Sequence, residues 1–205
     1  MPLTPVLVSQ LEAIVGRDGL VTSVEGRLVY ECDMHTFYKG APDAVVLPTS
    51  AEQVREVVRA CRTAGTPVVP RGSGTGLIGG AMAPRGGVMV ATTRMNGILE
   101  VDLANRCATV QPGLINLWLS HAVRERGYFF APDPSSQMVS SIGGNVSTNA
   151  GGRTASSTAS PPTTCSDFSS SRAQASWCGW EARRSTGPGT TSRGSPWGRR
   201  ARSVW

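Results

Sequence analysis

The chain has 205 residues and a net charge of +6, enough length for one large domain or two small ones. Residues 1–152 carry 12 Lys and Arg against 12 Asp and Glu, while residues 153–205 carry 8 Arg against 2 acids, so the whole surplus lies at the end. The basic balance therefore gives the front part no polyanionic partner and removes nucleic-acid binding as its function class.

A first helix is predicted from Val8 to Val15, with Leu11, Ile14 and Val15 on one face. Tyr30 to Pro48 reads as an extended approach ending in the strand Ala44-Val45-Val46-Leu47. Ser50 and Gln53 then form an S-x-x-Q capping box, which satisfies free N–H groups at a helix start. Val54, Val57, Val58 and Cys61 follow at i, i+3, i+4, i+7 as one apolar stripe, and Gly65 and Pro67 stop the helix. Val68-Val69 reads as a short buried strand, and Val88-Met89-Val90-Ala91 as another. Ile98–Val101 and Cys107–Val110 suggest a hairpin turning at Ala104-Asn105. Leu114 to Arg126 predicts an amphipathic helix closed by Gly127, with Leu117, Trp118 and Val123 inward. Strands and helices alternate in this way through residue 130 or so, and the class is α+β or α/β.

Two glycine clusters interrupt the regular elements. The first, Pro70-Arg71-Gly72-Ser73-Gly74-Thr75-Gly76-Leu77-Ile78-Gly79-Gly80-Ala81, places five glycines within nine positions directly after a strand. Such density removes side chains and permits φ > 0, so several N–H groups can converge on one anion. A phosphate-bearing cofactor is the natural guest. Gly74-Thr75-Gly76-Leu77-Ile78-Gly79 matches G-x-G-x-x-G, but a dinucleotide fold of the Rossmann type requires a helix to open at the last glycine. Pro84 and Gly86-Gly87 leave no room for one. The second cluster runs from Ser141 to Gly152 behind the turn Pro132-Asp133-Pro134-Ser135-Ser136. Its small and amide residues also leave the backbone free to approach a flat ligand.

The first cluster, the Pro132–Ser136 turn, and Ile142-Gly143-Gly144-Asn145-Val146 through Asn149-Ala150-Gly151-Gly152 together resemble the FAD-linked oxidases. Their superfamily is that of p-cresol methylhydroxylase (PCMH) and vanillyl-alcohol oxidase, and the likeness is to the glycolate oxidase FAD subunit and D-lactate dehydrogenase branch. It extends from about Leu28 to Gly152, with three motifs in order. The resemblance implies an α+β fold: the N-terminal portion of a two-subdomain, PCMH-type FAD-binding domain. It divides the chain into an N-terminal helix and extended approach (1–38), an incomplete FAD-binding domain (39–152) and a tail (153–205). It implies that the first loop wraps the FAD diphosphate, through Arg71, Gly72, Ser73, Gly74, Thr75, Gly76 and Leu77. The second cluster would lie along the ribityl chain and ring, through Pro134, Ser135, Ser136, Gly143, Gly144, Asn145 and Ser147. Arg71 either contacts phosphate or braces the loop. Some members tether the flavin through a histidine near the position of Thr75. Only His35 and His121 occur here, neither in a motif, so FAD should be held non-covalently.

The resemblance further implies a flavin-dependent dehydrogenase or oxidase of a small 2-hydroxy acid, glycolate or D-lactate. In the family the groups that bind the carboxylate and take the proton belong to a later substrate domain. No catalytic residue is therefore expected here, and the chain as written is expected to be inactive and prone to aggregation where its apolar faces lack their cover. Electron-transfer partner subunits belong to the same expectation. The alternatives are a non-catalytic flavin-binding module and a same-fold enzyme acting on a sugar lactone or an enolpyruvyl sugar. No apolar run reaches membrane-spanning length. Five scattered cysteines with no C-x-x-C pair argue against a disulfide framework or a zinc site and suit a reducing compartment. With no signal-peptide pattern at Met1–Val6, the expected location is cytoplasmic.

From Arg153 onward the only Leu, Ile, Val or Met is Val204, and four of the five Trp appear there. So few aliphatics cannot offset ordering entropy, and disorder is expected. Family members continue after Asn-Ala-Gly-Gly with PHCLKYGV, VLGL, VVRLGG and GSEGTLGV. Back-translation one base out of register, beginning at Gly152, permits all four in order. The Trp177–Cys178 junction can then encode only Val, and the Trp180–Glu181 and Trp197–Gly198 junctions only Gly. A one-base deletion in or just before the Gly152 codon is thus expected, and resequencing the gene decides it. The alternative, an Arg- and Trp-bearing tail that stacks on single strands, is weaker, because out-of-register GC-rich codons yield the same residues.

Overall fold

Proline is tolerated in the first turn of a helix, where its missing N–H has no partner to lose. Pro5 takes that place, and Thr4 Oγ1 accepts from the Leu7 N–H at 3.3 Å. Helix α1 therefore spans Pro5–Val15, starting ahead of the Val8 that the apolar spacing marks. In the computed structural model the described residues are 3–152 and the backbone of two dipeptides, Ser170–Ser171 and Trp177–Cys178, which pair antiparallel. The disordered, out-of-frame tail expected over 153–205 otherwise lies outside the described residues.

Two short elements follow that no periodicity announces, strand β1 (Leu20–Val21) and helix α2 (Val24–Leu28). Strand β2 (Ala44–Val46) leads to helix α3 (Ala51–Thr63). Ser50 caps α3 as expected, accepting from the Gln53 N–H at 3.2 Å. The reciprocal half differs: Gln53 Oε1 takes the Thr49 N–H at 2.8 Å, and its Nε2 donates to the Ile14 carbonyl, tying α3 to α1. Strands β3 (Val68–Arg71) and β4 (Val88–Ala91) complete one sheet in the order β1-β2-β4-β3. Strand β4 lies parallel to both neighbours, with Met89 opposite Val45 and Val69, and β1 joins antiparallel at Leu20↔Val46.

The period of two along these strands sorts the core into two faces. Val46, Val88 and Val90 meet Leu7, Leu11, Val57 and Cys61 from α1 and α3, whereas Val45, Met89 and Ala91 face the other way, onto Ala83. With both faces covered, β2 and β4 are apolar throughout. Residues of the N-terminal stretch thus build the same core as the sheet.

The predicted hairpin forms as β5 (Ile98–Asp102) and β6 (Cys107–Val110), its turn held by Asp102 Oδ1 accepting the Asn105 N–H at 3.0 Å. Helix α4 (Asn116–Val123) continues as a 3-10 turn and ends at Gly127 with φ 78°. Its inward face needs correction. Leu119 and Val123, one turn apart, are buried with Leu114, while Trp118 is 51% exposed. The cause is where the helix starts: the Asn116 N–H takes the Ser140 carbonyl and the Leu117 N–H takes Gln137. Those bonds turn Leu119, rather than Trp118, onto Phe130 and Ile142.

Candidate functional site

The parallel strands place the first glycine cluster where ligands gather in open sheets, beyond the carboxyl end of β3. No helix follows it. Met82 N–H turns back onto the Gly79 carbonyl, and the chain returns through Gly86 and Gly87, at φ 68° and 92°, into β4. The exclusion of the Rossmann arrangement holds. Among the described residues, the main-chain N–H groups of Ser73 through Ile78 donate to no acceptor. Gly74 holds φ 74°, a conformation that side chains resist.

The loop is shaped by side chains. Arg71 Nη1 donates to the Ala81 carbonyl at 3.0 Å, closing the loop's two ends, and its guanidinium lies 5.6 Å from the Tyr30 ring centroid. A Cβ on Gly74 would meet that guanidinium. Arg71 is thus a brace, whichever other contacts it keeps. Burial pulls its pKa down, while Cys32, Asp33 and Tyr30 push the other way. Asp33, missed by sequence reasoning, is 5% exposed and accepts from His35 N–H at 2.8 Å and from Gly79 N–H at 2.9 Å. The Met34 N–H donates to the Gly76 carbonyl at 3.1 Å.

The second cluster is not the open loop that its composition suggests. Residues Ile142–Thr148 form helix α5, which ends at Asn149 in the left-handed region, φ 52°. Packing explains its first glycine: a Cβ on Gly143 would stand 2.7 Å from Pro112 Cβ and 3.0 Å from the Pro112 carbonyl oxygen. The first two residues of α5 are tied to residues 112 and 114, through Ile142 N–H on the Leu114 carbonyl and Gly143 N–H on the Pro112 carbonyl. Ser147, expected near a ligand, is exposed, and its hydroxyl donates to the Gly143 carbonyl at 2.7 Å. Pro134 and Ser136 accept from Gln137 and Ser140, so the Pro134-Ser135-Ser136 turn feeds the start of α5. Ser135 is exposed.

The two clusters meet. A Cβ on Gly72 would run into Ser141 Oγ and would lie 3.7 Å from the Gly144 backbone. Backbone there packs against backbone, which two glycines allow. Along this seam and the adjoining start of α4, Ser140 Oγ, Ser141 Oγ, Asn145 Nδ2 and both side-chain polar atoms of Asn116 are buried without a hydrogen-bond partner among the described residues. Buried polar groups are ordinarily paired, so this density of free donors and acceptors makes the seam the candidate site for a polar ligand. Among the described residues no group of three His, Cys, Asp or Glu could hold a metal, and no helix is long and apolar enough to cross a membrane.

Residues 42–163 match a family of FAD binding domains. The chain is 45% identical over 149 residues to the glycolate oxidase subunit GlcD of Escherichia coli (strain K12), covering 73% of this chain and 30% of that protein. It is 35% identical over 150 residues to a D-lactate dehydrogenase of Anaerostipes hadrus, covering 73% and 31%. The solved structure of p-cresol methylhydroxylase superposes with a TM-score of 0.57 at 23% identity, over 71% of this chain and 30% of that one, a likeness of fold. This chain spans less than a third of the length of those two relatives.

Proposed function

The chain belongs to the FAD binding domain family, and from that premise we propose that it holds FAD non-covalently between its two glycine clusters, as part of a 2-hydroxy-acid dehydrogenase or oxidase of glycolate or D-lactate type. The observation that carries this is two features joined where Gly72 packs on Ser141: six consecutive free N–H groups, Ser73 to Ile78, and a set of buried unpaired hydroxyl and amide groups. Main-chain amides cost no reorganisation when an anion arrives, so Gly72, Ser73, Gly74, Thr75 and Gly76 suit the diphosphate. Pro134, Ser135, Ser136, Gly143, Gly144, Asn145 and Ser147 line the way toward the flavin end. FAD would supply the acceptor for the substrate's α-hydrogen. This chain's residues bind and orient it, and the groups that grip the acid and take its proton lie in a later domain. On this reading residues 39–152, completed by the N-terminal stretch that packs on them, are the cofactor-binding unit and the chain alone turns over no substrate. The name of the E. coli relative includes the word subunit, and we extend to this chain an electron-accepting partner subunit.

Adding FAD to the purified chain and removing the excess by gel filtration tests the cofactor. A retained flavin absorbance, released into the supernatant by acid precipitation, is the expected result. Flavin that stays with the precipitated protein would contradict the non-covalent link and direct attention to His35, which neighbours Asp33 and Met34 on the loop. Reduction of that flavin by D-lactate or glycolate would contradict the inactivity of the isolated chain.

A further inference from the structure

The family match begins at residue 42, yet the segment of residues 30–35 is built into the first loop. Asp33 stands 46 residues before Gly79 and gives it a carboxylate oxygen, its other oxygen being occupied by His35 N–H. One residue on, Met34 N–H fixes the Gly76 carbonyl. The far limb of the loop is thereby pinned at both ends, and Tyr30 underlies the arginine that closes the near limb. A buried carboxylate is the wrong sign for contact with a diphosphate. It is tolerated where N–H donors and a nearby guanidinium compensate it, and both are present. Asp33 therefore suits holding the loop rather than touching the ligand.

We infer that Asp33 is a positioning residue for the cofactor diphosphate, presetting the Gly76–Gly79 limb so that its ordering is complete before binding. The inference rests on the FAD assignment above. A loop already held in its bound shape gains affinity by the ordering cost it avoids. Asn in place of Asp33 offers one acceptor oxygen to two donors and turns an NH2 group toward one of them, releasing one limb with little change in volume.

The experiment titrates FAD and ADP into the 205-residue chain, into Asp33→Asn and into Leu11→Ala, a control in the core beneath the sheet. Wild type should bind both ligands. Asp33→Asn should lose about tenfold for both, while Leu11→Ala melts lower and binds like wild type. Asp33→Asn within about twofold of wild type, or an equal loss in Leu11→Ala, overturns the positioning role. Wild type binding neither ligand overturns the FAD assignment instead, a distinct outcome. Hydrogen exchange of the ligand-free wild-type chain needs no variant. The Gly79 amide should exchange slowly beside a fast Gly80, and equal rates overturn the inference even if Asp33→Asn fails to fold.

Discussion

Two stretches of this chain look alike on paper and differ in structure. Gly72–Gly80 and Ser141–Gly152 are both rich in glycine and poor in apolar side chains, yet the first stays irregular and the second coils into α5. The first is held from outside, by Arg71, Asp33 and Met34, and keeps the amides of Ser73 to Ile78 free. The second spends its amides on residues 112 and 114 and anchors through Ile142, which is fully buried. Glycine density alone therefore does not say why glycine is needed. In the loop it serves backbone conformation and open amides; at Gly143 and Gly72 it serves close packing.

The largest expected contrast is in the anchors. Ile142→Ala should cost about 2–5 kcal/mol, as for other buried isoleucines, whereas Ile78→Ala, at a residue 81% exposed, should stay within about 0.5 kcal/mol. Urea unfolding midpoints compare them, and equal losses would break the distinction. Gly143→Ala comes next, at about 1–3 kcal/mol, because Pro112 must yield to the new Cβ. Gly76→Ala should then separate folding from binding. Its Cβ would meet only Asp33 Oδ2 at 3.8 Å, so unfolding moves by less than about 0.5 kcal/mol. FAD affinity should nonetheless fall about tenfold, since any added side chain restricts a loop whose bare backbone must close to hydrogen-bond distance on the diphosphate. Unchanged affinity would deny the loop its role.

The last prediction belongs to neither cluster. Burial pushes the Cys61 thiol up to about 11, so the native chain keeps a proton that the unfolded chain loses from about pH 9. Stability from this group is full below about 9 and is lost as pH rises through about 11. The alkaline fall in melting temperature should flatten in Cys61→Val.

Local signals carried far. The Ser50 cap, the Val54–Cys61 stripe and the hairpin turn at Ala104-Asn105 each depend on residues within a turn or two of one another, and each is legible in the sequence. The family motifs likewise mark both clusters. What was hidden depends on distant partners. Strand β1 exists because Val45 and Val46 accept it, and Trp118 is turned outward by bonds from residues 137 and 140. The helical form of residues 142–148 rests on carbonyls at 112 and 114. Asp33 carries no motif, since its meaning lies in a single amide 46 positions away.

Amide hydrogen exchange on the 205-residue chain, with and without saturating FAD, tests the central claim most directly. Protection should appear at Ser73 to Ile78, whose amides have no partner of their own, and the already bonded amides of Ile142 and Gly143 should change little. FAD that binds while Ser73–Ile78 exchange as before would contradict the account.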